Sequence, residues 1–229
     1  MISEQRERWQ AAGSPPVPTL VVGGAPHVLQ HPTEAGVLLG LTVPPAFRDA
    51  RQVAWDLEAI VEAWLELAER TPWAVLTAPG VVLGRTPLAL AVDALVGVAA
   101  VTGALWTGWF HWPGNPATGE TGDATIGPYE ASLVATIADR CDLLAFARRI
   151  AAGWRDALVE HDEALGRDPA QPVRTPRGGL TVVELLEAQR LHAAGHYRQA
   201  TASLAAAGEP LPQLDLSTLH GLVLPETLV

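Results

Sequence analysis

The sequence predicts an all-α protein: an antiparallel four-helix bundle with an irregular N-terminal extension and a C-terminal tail packed back on it. Three observations predict this. Four long stretches read as helices, three with apolar residues at steps of three and four and one apolar all round. Two of them open on clear start signals, and neither a convincing strand series nor an internal repeat lies between them. At 229 residues and 24.2 kDa the chain can bury a sizeable core but cannot hold two large domains. With 48% hydrophobic and 17% charged residues it lies far from intrinsic disorder.

Residues 1–45 are rich in Gly and Pro and form the extension, in which Thr19 to Leu29 can fold as a short hairpin across Gly23-Gly24. The bundle spans residues 46–208. Its first helix follows Pro44-Pro45 and runs to about Arg70, with Val53, Leu57, Val61, Trp64 and Ala68 on one face. The second starts at Thr86-Pro87, a cap followed by a proline that gives up only an amide hydrogen the helix cannot use, and runs to Phe110. His111 to Gly127 reads as a loop. A third helix runs from Pro128 toward Leu165, with Gly153 as a point of interruption. Arg167 to Gly179 reads as another loop. Thr181 and Glu184 form a T-x-x-E capping box that opens the last helix, and Gly208 closes it. Residues 209–229 are the tail, apolar enough to pack on the bundle.

The net charge of −10 and pI near 5.1 give no basic footprint for phosphates, which disfavours nucleic acid and points to a small molecule or a protein as partner. One cysteine, Cys141, excludes an internal disulfide and fits a cytoplasmic setting, in the role of a small buried hydrophobe. No signal peptide is expected at the N-terminus. Ala94 to Phe110 carries no charge, but it is rich in Ala, Gly and Thr and flanked only by Arg85, so a buried helix is expected rather than a membrane span. A helix with no polar face to give to solvent also leads to the expectation of a homodimer. Trp106, Trp109 and Trp112 line a pocket mouth, a dimer seam or simply the core. Serine-hydrolase, P-loop and Rossmann fingerprints do not occur.

On the last helix His192 and His196 share an arc of about 120° with Leu185, Gln189, Val182, Ala200, Leu186 and Leu204, so both imidazoles face inward. Arg190, Glu187, Arg198 and Glu184 fall on the opposite side, expected to be solvated. An H-x-x-x-H pair one turn apart aims two nitrogens at one point. Asp93, a lone carboxylate in the uncharged second helix, needs a metal or a cation such as Arg140 to offset its desolvation. Together Asp93, His192 and His196 offer two nitrogens and one oxygen, compatible with one divalent ion: Zn, Fe, Ni or Mn. His161 lies on an inward arc with Ile150, Trp154 and Leu158, either as a hydrogen-bonded core histidine, the favoured role, or as a reserve metal ligand.

Two segments resemble the DinB/YfiT-like superfamily of metal-binding four-helix bundles, which includes mycothiol- and bacillithiol-dependent enzymes. Gly179 to Gln199 is similar to that family's last helix, with His192 and His196 as its paired histidines. Arg85-Thr-Pro-Leu-Ala-Leu-Ala-Val-Asp is similar to the start of its second helix, where the family usually has a histidine ligand and this chain has Asp93. The exchange keeps a ligand but alters its charge and hardness, so either the metal preference shifts or the site is lost. The resemblance covers residues 46–208. It implies a metal that activates a water or a low-molecular-weight thiol for thiol transfer, isomerisation or hydrolysis of a small organic substrate. Gln189 is then a candidate for bonding behind the ligands and Tyr197 for the pocket rim. The alternatives are a metal-free bundle that binds a small molecule or a protein, and one recruited to rearrangement or cyclisation in specialised metabolism.

Overall fold

The structure, a computed structural model, describes residues 19–22, 25–28, 49–81, 84–110, 123–175, 178–211, 214–219 and 222. Most of these are helical, in six α-helices joined by little sheet, as the all-α prediction requires. The rest of the extension, the segment 111–122 with Trp112, and parts of the tail lie outside the described residues. Within the extension, β1 (Thr19–Val22) and β2 (Ala25–Val28) pair antiparallel, Thr19 opposite Val28, as the Gly-Gly step suggests.

Helix α1 (Ala50–Arg70) starts where Asp49 accepts a hydrogen bond from Arg51 N, and buries Val53, Leu57, Ile60, Val61, Trp64 and Leu67. A single turn, α2 (Trp73–Leu76), follows. Helix α3 (Pro87–Thr107) opens on Thr86, whose hydroxyl accepts from Ala89 N. It ends three residues before the expected Phe110, because Gly108 turns left-handed at φ +68. Beyond it, Phe110 N donates to Arg174 O, drawing the chain onto a strand.

The expected third helix is two helices. Helix α4 (Asp123–Thr136) begins inside the segment read as a loop, and α5 (Arg140–Arg167) is a separate, longer helix. The break falls at Asp139, whose carboxylate accepts from Cys141 N and Asp142 N and so starts a new helix, while Gly153 sits inside α5 without interrupting it. Cys141, in that first turn, is exposed rather than buried. The second expected loop contains a hairpin of β3 (Pro172–Thr175) and β4 (Gly178–Thr181). Helix α6 (Val182–Ala206) carries the predicted capping box, with Thr181 N donating to Glu184 Oε2 at 2.8 Å, and yields to Gly208 at φ +75. In the tail Leu219 is buried and Leu214, Leu216 and Leu222 pack on the core.

Side-chain pairs fix how the long helices run. Arg51 with Asp162, Glu58 with Arg155 and Glu69 with Arg148 set α1 against α5 in opposite directions. Asp93 with His196, and Ala94 with Gln189, do the same for α3 and α6. Asp56 with Arg190 and Trp64 with Tyr197 make α1 and α6 parallel. Helix α6 therefore packs between α1 and α3, and the expectation that Glu187 and Arg190 face solvent is corrected. Arg190 is 1% exposed, bonded to Asp56 Oδ2 at 2.5 Å and to Glu187 Oε2 at 2.8 Å, because a helix covered on two flanks has no room for a full polar face there.

Helix α3 buries 14 of its 21 residues. By length and a mean hydropathy of 2.1 it could cross a membrane, yet it is the core helix of this fold, mostly covered by its neighbours. That burial accounts within one chain for the missing polar face from which a homodimer was expected.

Candidate metal centre

Asp93 projects from the second turn of α3 toward α6, where the i, i+4 spacing of His192 and His196 stacks two imidazoles on one face. One oxygen or nitrogen from each of the three residues falls within 4.8 Å of the others. His196 Nε2 stands 3.0 Å from Asp93 Oδ2, and His192 Nε2 stands 3.4 Å from Oδ1. The two rings meet edge to face at 4.5 Å between centroids. Asp93 has 7% of its side chain exposed, His196 14% and His192 31%, so the carboxylate sits at the floor and His192 at the open side.

Burial by itself raises the Asp93 pKa. Hydrogen bonding and positive charge from His192 and His196 outweigh it and hold the carboxyl well below the usual carboxylate range, so Asp93 is ionised at neutral pH. His196 Nδ1 lies 2.9 Å from Gln199 Oε1. Since that oxygen can only accept, Nδ1 is the donor of this pair, which turns Nε2 toward an anionic oxygen 3.0 Å away. An imidazole nitrogen and a carboxylate oxygen so placed share either a ring proton or a metal ion. Donor atoms that share one ion at about 2.0–2.1 Å lie about 2.9–3.4 Å apart, and the two measured separations fall in that range. The residues present thus fit a divalent ion by donor type, by access and by the spacing of each imidazole from its carboxylate oxygen.

Arg85, not Arg140, is the cation on this carboxylate: Arg85 NH2 donates to Asp93 Oδ2 at 2.9 Å. Arg140 is spent on Glu69 O at the far end of α1. Arg85 and Gln199 are the residues that the sequence reading missed. For Gln199 the signal was there, an acceptor at i+3 from a candidate ligand. For Arg85 it was weaker, a lone guanidinium just before the cap of an uncharged helix.

The remaining candidates lie elsewhere. Gln189 is buried and bonds across the interface, its Nε2 donating to Ala94 O at 3.1 Å, so it ties α6 to α3 beside the cluster. Tyr197 is not at a rim. One residue past His196 the helix turns by about 100°, which carries Tyr197 toward α1 and buries it edge to face on Trp64 at 5.5 Å. Its hydroxyl finds no hydrogen-bond partner among the described residues, and burial, with the nearby Glu66 charge, pushes the phenol above its ordinary pKa. His161 is no reserve ligand: it packs against Trp106 at 4.7 Å, near the opposite end of α3, beside a small cleft lined by Leu105, Leu165 and Val173. Trp106 and Trp109 are exposed rather than core.

No protein-family model matches this chain, nor does any curated protein or solved structure.

Proposed function

We propose that the chain is a DinB-like metalloenzyme, its four long helices forming the family's bundle, with Asp93, His192 and His196 holding one divalent transition metal for work on a small organic substrate. The observation that supports it is the approach of His196 Nε2 to Asp93 Oδ2, 3.0 Å apart, with His196 Nδ1 bonded to Gln199 Oε1 and His192 Nε2 3.4 Å from the other carboxylate oxygen. Zn, Ni, Fe and Mn all suit two imidazoles and a carboxylate. Such an ion supplies Lewis acidity that lowers the pKa of a water or a low-molecular-weight thiol, which places the reaction among hydrolyses and thiol-dependent transfers or isomerisations. The chain's own residues prepare that chemistry. Asp93 brings the anionic donor to the floor of the site, Gln199 fixes the His196 tautomer, and the half-open His192 leaves an approach for substrate.

A second reading, a metal-free bundle that binds a small molecule or a protein, is favoured by one observation: Arg85 already neutralises Asp93 at 2.9 Å. Metal analysis of protein purified without an affinity tag, together with Asp93→Ala, His192→Ala and His196→Ala, separates the two. About one equivalent of metal in the parent, lost in each variant, supports the metalloenzyme. No stoichiometric metal, and uptake unaltered by the three substitutions, supports the metal-free bundle.

A further inference from the structure

On the outer face of the α1–α5 pair two apolar side chains meet water: Trp55 is 56% exposed and Val159 82%, although each helix commits a separate apolar side to the core. Both helices carry the same local pattern there, an arginine, an apolar residue four positions on, and an acid three positions further: Arg51, Trp55, Glu58 on α1 and Arg155, Val159, Asp162 on α5. Steps of three and four keep each trio on one helix surface. Because the two helices run in opposite directions, the arginine of one meets the acid of the other. Arg51 NH2 lies 3.1 Å from Asp162 Oδ2 and its Nε donates to Asp162 O at 2.8 Å; Arg155 Nε donates to Glu58 Oε1 at 2.7 Å, and its NH2 pairs with Glu62. A Cβ on Gly166 would stand 2.5 Å from Arg51 Cζ, so that guanidinium lies over a position kept bare. Arginines held at two points lose little freedom when a partner covers them.

The charges around this apolar centre form a checkerboard, with Arg51 beside Asp162 at one end and Glu58 and Glu62 beside Arg155 at the other. Such a pattern complements itself. A second copy related by a two-fold axis along the helices sets Arg51 against the partner's Asp162 and the Glu58 end against the partner's Arg155. An axis across the helices sets Arg51 against the partner's Glu58 and Asp162 against the partner's Arg155. Unlike charges meet in either case, while a partner surface of one sign would meet repulsion from half of this rim. A tryptophan at the centre and arginines at the edge are also the side chains that interfaces favour. We propose that this face is the interface of a homodimer, with Trp55 as its anchor and a second copy of this chain as its partner. It does not depend on α3, whose apolar surface is used inside the chain, nor on the metal-centre reading.

Sedimentation equilibrium of the full chain tests this at about 0.15 M salt, where a Debye length of about 8 Å screens the repulsion between two chains of net charge −10. The parent is expected to pass from monomer to dimer across the micromolar range. Trp55→Ser should raise the dissociation constant at least tenfold and Val159→Ser by less, while Trp106→Ser, at an exposed tryptophan on α3, should leave it unchanged. A parent that stays monomeric throughout that range would overturn the interface, and so would a dimer that Trp55→Ser and Val159→Ser leave at parental strength. If thermal melts show that Trp55→Ser does not fold, Val159→Arg decides: loss of the dimer upholds the interface, and a dimer of parental strength overturns it.

Discussion

Gln199 Oε1 accepts from His196 Nδ1 at 2.9 Å, three residues along the same helix, and so aims the other nitrogen of the ring at Asp93. Gln199→Leu removes that acceptor and frees the ring to turn or change tautomer. Metal affinity is expected to fall about 10–100-fold, while Gln199→Glu, which keeps an acceptor, should hold it near the parent value. Competition with a chromophoric chelator measures both, and an unchanged affinity in Gln199→Leu would remove this role.

The buried Asp56–Arg190–Glu187 group is a liability if broken and dispensable if replaced whole. Arg190→Met leaves two carboxylates buried close together and is expected to cost about 3–5 kcal/mol in denaturant unfolding. The triple substitution Asp56→Leu, Glu187→Leu, Arg190→Met should recover most of that loss, because the full desolvation cost disappears with the charges.

Gly97 lies directly against the Gln189 side chain of α6. An added Cβ would stand 2.4 Å from both polar ends of the Gln189 amide, which is buried and bonded to Ala94 O. Gly97→Ala should therefore destabilise by about 1–3 kcal/mol and weaken metal uptake by separating Asp93 from the histidines. Adding Gln189→Ala should restore the spacing and the uptake, a coupling that a double-mutant cycle reads directly.

Tyr197 has a folded-state pKa above its unfolded value, so its contribution to stability is complete below about pH 10 and declines as pH rises and only the unfolded state ionises. Tyr197→Phe removes this alkaline loss and also a buried hydroxyl without a partner among the described residues. The variant should be about 1 kcal/mol more stable at neutral pH, with a shallower fall in denaturant midpoint above about pH 10. Tyr197 should contribute no phenolate absorbance before the parent unfolds.

Start signals were the most legible part of the sequence. Thr86-Pro87 and the Thr181–Glu184 box act through local hydrogen bonds and mark α3 and α6 to the residue. The split between α4 and α5 was missed because Asp139 caps from within a continuous helical pattern, and glycine at Gly153 looked the more probable breaker. The cluster itself was legible, since a lone carboxylate and an H-x-x-x-H pair each demand an explanation. Its partners were not. Arg85 reaches Asp93 from beyond the helix cap, a tertiary relation that no periodicity encodes. For the same reason Arg190 looked solvated: a helical projection cannot say that α6 is covered on two flanks rather than one.

Crystals of the full chain loaded with one equivalent of zinc, with data collected on either side of the zinc absorption edge, test the central claim most directly. The account predicts one strong anomalous peak per chain about 2.0–2.2 Å from a carboxylate oxygen of Asp93 and from Nε2 of both His192 and His196. A map with no peak there, and Arg85 still closing the carboxylate, would contradict it.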